Sequence, residues 1–76
     1  MDLWIRTQDK KRFMEVEEVY IESFEGIHCI CTDGLTLGRY DTYERALQII
    51  DAIAYKITRA IVEPAARCVT YTMPEK

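Results

Sequence analysis

Serine and histidine each occur once in this 76-residue chain, as Ser23 and His28, and glycine occurs only at Gly26, Gly34 and Gly38. Each scarcity excludes some chemistry. Serine catalysis would rest on one hydroxyl. A phosphate-cradling loop needs clustered glycines, and the three here each fit a turn or a corner. The three cysteines, Cys29, Cys31 and Cys68, are an odd number, which argues against the disulfide framework of a small secreted protein. The opening Met-Asp-Leu-Trp-Ile-Arg lacks the basic start and long apolar run of a signal peptide. The longest nearly apolar stretch is broken by Asp51 and Lys56, so no membrane span is expected and the cytoplasm is the default location.

Basic charge is also in short supply. The formal net charge is −3 and the sequence pI is about 5.0. Nucleic-acid binding depends on clustered Lys and Arg. The one cluster is Lys10-Lys11-Arg12, and it faces an acidic run of Glu15, Glu17, Glu18, Glu22 and Glu25. A nucleic-acid partner is therefore disfavoured, and a prophage-type regulator contacting nucleic acid is kept only as an alternative.

What is present is a clear alternation of strands, then one helix. Asp2–Thr7 alternates, with Leu3 and Ile5 on one face and Trp4 and Arg6 on the other. Gln8–Lys11 reads as a polar turn and Arg12–Val16 as a second strand. Glu17–Phe24 reads as a third strand whose phase differs from that of Met14 and Val16. A one-residue shift turns every side chain over, so a bulge or tight turn is expected near Glu17-Glu18. Ile27–Thr32 is a fourth strand after Glu25-Gly26. Asp33-Gly34 is a strong hairpin signal, and Leu35–Tyr40 is the fifth strand.

Asp41 or Thr42 can cap the following helix, and an Asp41 cap would place Glu44 for a capping box. Ala46, Leu47, Ile50, Ile53, Ala54, Ile57 and Ile61 then form an apolar stripe. Pro64 is expected to stop the helix, and Cys68–Met73 reads as a last strand. The expected architecture is one α+β domain over residues 1–76. Its antiparallel sheet has about five to six strands in the order β-β-β-β-β-α-β, with one long helix on one face. Leu3, Ile5, Val19, Ile21, Ile27, Cys29, Leu35 and Leu37 are expected beneath the helix. The last strand could join this sheet or cross to another molecule.

Trp4-Ile5-Arg6-x-Gln8-Asp9, Leu37-Gly38-x-Tyr40-x-Thr42-x-Glu44-Arg45-Ala46-Leu47 and the closing Val69-x-Tyr71-x-Met73-Pro74 resemble segments of small proteins from Gram-positive bacteria and their prophages. The resemblance spans most of the chain. It implies a bacterial or prophage, cytoplasmic setting and no activity, because its motifs are a first strand, a strand-to-helix corner and a last strand.

His28-Cys29-x-Cys31 invites a zinc reading, but zinc takes four ligands, commonly in pairs two to four residues apart. Here one residue separates the cysteines, no second pair exists, and His28 points away from both. Cys29 and Cys31 read as small buried apolar residues. A cysteine nucleophile would need a base within reach, and the only histidine lies on the opposite face. No catalytic residue, metal or cofactor is expected.

The expected outer face carries Trp4, Tyr20, Phe24 and Ile30, with Arg6 beside them. Aromatics and Arg are enriched at interface hot spots, and a sheet with one helix leaves its second face bare. The sequence thus suggests a non-enzymatic module that docks a protein partner or self-associates as a homo-oligomer, possibly a dimer, through Trp4, Arg6, Tyr20, Phe24 and Ile30.

Overall fold

The computed structural model describes residues 2–62 and 68–76. The order of elements is β1 (Asp2–Arg6), β2 (Phe13–Val16), β3 (Tyr20–Phe24), β4 (Ile27–Thr32), β5 (Leu35–Tyr40), α1 (Tyr43–Ile61) and β6 (Cys68–Thr72). The α+β class with one helix agrees with the sequence reading. The expected single antiparallel sheet is instead two three-stranded sheets, ordered β2-β1-β6 and β3-β4-β5. The last strand joins the first sheet, parallel to β1, with Trp4 opposite Thr70.

The phase break near Glu17 marks the change of sheet. β2 ends at Val16 in the first sheet, a bend follows at Glu17, and β3 starts at Tyr20 in the second. Both hairpins of the second sheet turn on two residues, Glu25-Gly26 and Asp33-Gly34. All four have positive φ, at 49°, 79°, 47° and 79° in chain order. This is the type I′ signature, whose twist matches that of the flanking strands.

Those turns overrule the expected faces. A two-residue turn places Phe24 opposite Ile27, so Ile21 falls opposite Ile30. Ile30 is fully buried in the core, while Ile27 is exposed. The placement of Ile27 and Cys29 beneath the helix and of Ile30 outside it is therefore corrected: the fourth strand is turned over. In β5 a bulge interrupts the ladder, with Ile30 opposite Gly38 and Cys31 opposite Thr36. The extra residue lets Leu37 and Tyr40 both enter the core, whereas Leu35 is exposed.

Thr42, not Asp41, caps α1, and its Oγ1 accepts from the Arg45 backbone N–H at 3.1 Å. The third helical residue is then Arg45, so the Asp41–Glu44 box does not form. Glu44 in the first turn still meets the positive end of the helix dipole. The buried stripe is Ala46, Ile49 and Ile53, with Ile50 and Ile57 partly covered. Leu47 and Ile61 are exposed, so the stripe is centred one residue round from its expected position. Pro64 lies outside the described residues. No described helix is long and apolar enough to cross a membrane.

One core joins both sheets. Ile5 and Val16 from the first sheet and Ile30, Leu37 and Tyr40 from the second meet Ala46, Ile49, Ile53 and Met73. A polar seam closes the same junction. The Gln8 N–H donates to the Leu37 carbonyl at 2.9 Å. Its side-chain Oε1 accepts from the Arg39 N–H at 2.9 Å, and its Nε2 donates to the Arg39 and Glu75 carbonyls at 3.0 and 2.8 Å. Gln8 thus stands in for a strand along the edge of β5.

Tyr40 Oη donates to the Pro74 carbonyl at 2.7 Å, and Arg45 donates twice to the Lys76 carbonyl. Burial, then the neighbouring Tyr71, pushes the Tyr40 phenol up to about 12, so it stays neutral and able to donate. The tyrosine ring lies across Gly38, where a Cβ would come within 2.7 Å of the phenol oxygen.

Gly38→Ala should therefore push Tyr40 off its seat and cost about 1–3 kcal/mol in denaturant unfolding, as overpacking does. Ile53→Ala, at a site 2% exposed, should cost about 2–5 kcal/mol. A neutral Gly38→Ala would show that the ring does not close the seam.

Candidate interaction surface

Strand alternation sorts the first sheet into two faces. Leu3, Ile5, Met14, Val16, Val69 and Tyr71 turn inward. Asp2, Trp4, Arg6, Phe13, Glu15, Cys68, Thr70 and Thr72 share the other face, and all of these but half-buried Trp4 are exposed.

The central feature of this outer face is a stack. The Trp4 and Phe13 ring centroids are 5.3 Å apart, with planes 23° from parallel. The Arg6 guanidinium carbon lies 5.4 Å from the Phe13 centroid. Register makes this possible: Arg6 stands opposite Phe13 and Trp4 opposite Glu15, so Trp4 and Phe13 are diagonal neighbours.

The register is held by the Thr7–Arg12 connection. The Thr7 N–H donates to the Arg12 carbonyl at 2.9 Å, and the Lys10 N–H to the Thr7 carbonyl at 2.8 Å. Asp9 braces the turn. Its carboxylate accepts from the Thr7 hydroxyl at 2.6 Å and the Lys11 N–H at 2.9 Å, and these two bonds hold its pKa below the ordinary value.

Charge runs along the face. Arg6 marks one end, adjoining the Lys10-Lys11-Arg12 turn. Asp2 marks the other, and Glu15 on β2 stands level with Trp4 between them. The Asp2 charge, then a hydrogen bond between the two carboxyls, raises the Glu15 pKa from its ordinary value. Among the described residues Arg6 forms no ion pair, and the cation of the turn that does is Lys10, 3.3 Å from Glu75.

The five residues expected on one surface are thus dispersed. Trp4 and Arg6 share the outer face of the first sheet. Tyr20 and Phe24 lie on the second sheet, with Phe24 at a hairpin tip and the Tyr20 hydroxyl accepting from the Gly34 N–H at 3.1 Å. Ile30 is core and is withdrawn from the surface. Phe13 is the residue that sequence reasoning missed. Its signal was available only through register, since it had to fall opposite Arg6.

The structure also joins the single serine to the single histidine. Ser23 and His28 are cross-strand partners, with Oγ 2.6 Å from Nδ1. The imidazole meets the Tyr43 ring edge-on at 5.9 Å. Serine catalysis also needs an oriented base and oxyanion donors. Among the described residues no third polar side chain bonds this imidazole, and the pair reads as a clasp between β3, β4 and the start of the helix.

Cys29 and Cys31 share the face opposite His28, and Cys68 belongs to the other sheet. Burial raises the Cys31 thiol pKa, with a Thr36 hydrogen bond partly opposing the rise. No group of three potential metal ligands gathers among the described residues. No family model matches the chain, and neither a curated protein nor a solved structure matches it.

The Asp2–Glu15 contact has a measurable consequence. Glu15 has a raised folded pKa, so its favourable contribution is complete below the unfolded value and is lost as pH rises. Glu15→Gln should therefore raise the thermal midpoint at pH 7. The gain should vanish as pH falls below about 4.5, the ordinary value for this group, and shrink with added salt. A pH-independent gain would mean that the two carboxyls do not interact.

Proposed function

We propose that this chain is a non-enzymatic interaction module, working in a bacterial or prophage cytoplasm, that docks a protein partner on the outer face of its first sheet. The observation that carries the reading is the stack of half-buried Trp4 on exposed Phe13, with Arg6 against it. Three side chains hold one another in place, so docking onto them costs less ordering entropy than docking onto free rotors. Tryptophan and arginine are also the residue types most enriched among interface hot spots.

Aromatic rings beside basic residues also suit single-stranded nucleic acid. The balance of charge favours protein. Lys10 is paired with Glu75, Asp9 occupies the same turn, and Asp2 at the other end of the face and Glu15 beside Trp4 add negative charge. A phosphate backbone crossing the stack would meet those carboxylates.

The test is a photoreactive phenylalanine analogue at Phe13 in host cells, compared with the same analogue at exposed Tyr55. Protein adducts should form at Phe13, be absent at Tyr55 and disappear in a Trp4→Ala background. Equal labelling at both positions, or adducts to nucleic acid alone, would sink the reading. Phe13→Ala should weaken partner binding at least tenfold, about 1.4 kcal/mol, while lowering stability less than Ile53→Ala does.

A further inference from the structure

We infer that two copies of this chain associate through the outer face of the second sheet, about a two-fold axis running along β4, so that Glu22 of each copy meets Arg39 of the other. This face is distinct from the Trp4–Phe13 surface, and the association stands or falls independently of it.

Register assembles the face. Glu22 stands opposite Cys29, and Cys29 opposite Arg39. Directly paired residues share a face, so acid, thiol and cation form one row across β3, β4 and β5. His28 and Ile30 point to the other side, toward Tyr43 and the core. Two strand spacings, about 10 Å, separate Glu22 from Arg39, and the two do not pair within the chain. They are also the only Asp, Glu, Lys or Arg residues in these three strands.

The solvated face of an antiparallel sheet is ordinarily polar. Along β4 the outward residues are instead Ile27, Cys29 and Cys31, and none is charged. Ile27 is exposed, Cys29 is half-buried, and Phe24 beside Ile27 is 75% exposed. The face is thus an apolar column with an acid on one flank and a cation on the other.

Such a face matches its own copy in one orientation. A two-fold contact is isologous, so whatever residue i meets in the partner meets residue i in return. An axis along β4 exchanges the β3 and β5 sides. It lays each Glu22 over the other copy's Arg39 and sets Cys29 against its own copy. An axis across the strands would lay Glu22 over Glu22 and Arg39 over Arg39. Charge therefore selects the first arrangement. Packed sheets lie about 30° from alignment, which one strand from the axis displaces the facing side chains by roughly 2–3 Å. A glutamate and an arginine span that offset. Gln8 also steadies the cation from the edge of β5, because its side chain bonds both the N–H and the carbonyl of Arg39.

The size of the face sets the strength. Three strands about 4.8 Å apart and about five residues long give a footprint of roughly 240 Å². Stable complexes bury about 800 Å² on each partner. The dimer is therefore weak and reversible, and its population changes with concentration.

The test uses charge swapping with the thiols kept reduced. Sedimentation of the unmodified chain between about 10 μM and about 1 mM, the range of weak complexes, should show its mass rising toward that of a dimer. Glu22→Arg sets cation against cation in both contacts, and Arg39→Glu sets acid against acid. Each single variant should associate at least tenfold more weakly. The double variant, with Glu22→Arg and Arg39→Glu in one chain, keeps the net charge and should recover the dimer, because both contacts are again complementary. Phe13→Ala should leave association unchanged. Glu22 and Arg39 are exposed, and an unchanged far-ultraviolet spectrum confirms the fold of each variant.

An unmodified chain that is monomeric throughout overturns the proposal, while cross-linking at Phe13 tests the docking reading separately. A dimer that persists in both single variants, or that Phe13→Ala abolishes, places association elsewhere and overturns the proposal. A double variant that stays monomeric overturns the pairing of Glu22 with Arg39 about β4.

Discussion

Cross-strand register decides which side chains this molecule shows and which it hides. A strand has two faces, and a shift of one residue exchanges them. In the second sheet the Glu25-Gly26 turn holds Phe24 opposite Ile27, and the remaining pairs follow two by two. Ile30 is thereby committed to the core, with half-buried Ile21 packed against it, and Phe24 and Ile27 to solvent. In the first sheet the Thr7–Arg12 connection holds Phe13 opposite Arg6 and builds the aromatic stack. Core and surface are two results of the same constraint.

The two sheets depend on a small number of joints. The helix supplies Ala46, Ile49 and Ile53 to a core drawn from both sheets. Gln8 adds a polar seam at the edge of β5, where strand pairing would otherwise end. Gln8, Gly38, Tyr40, Arg45, Met73 and Pro74 come from three separate stretches of the chain. Each takes part in this junction or lies against it. What they share is this joint between the sheets, the helix and the closing segment.

The outer face of the first sheet differs in kind from the rest of the surface. Its rings are held by one another and by Arg6, and opposite charges stand at its two ends. Tyr20 and Phe24 were legible as aromatic and outward-facing, yet they lie on another sheet. The candidate surface was therefore partly readable, through Trp4 and Arg6. Phe13 was hidden by the six-residue connection, whose hydrogen bonds alone set its partner. Ile30 was misplaced because alternation within one strand cannot say which face is inside. The turn before it could have said so, since it ties Ile27 to Phe24.

The sequence alone determined the local elements: alternating strands, glycine-bearing turns at Glu25-Gly26 and Asp33-Gly34, an amphipathic helix starting after Asp41-Thr42 and a last strand near Cys68. These depend on neighbours a few residues apart, so composition and spacing encode them directly. Tertiary structure decided the division into two sheets, the parallel union of β1 with β6 from opposite ends of the chain, and the meeting of Trp4, Phe13 and Arg6. Those outcomes depend on which distant strands pair and in what register. The energy that selects them lies in a shared core and seam that no single segment contains.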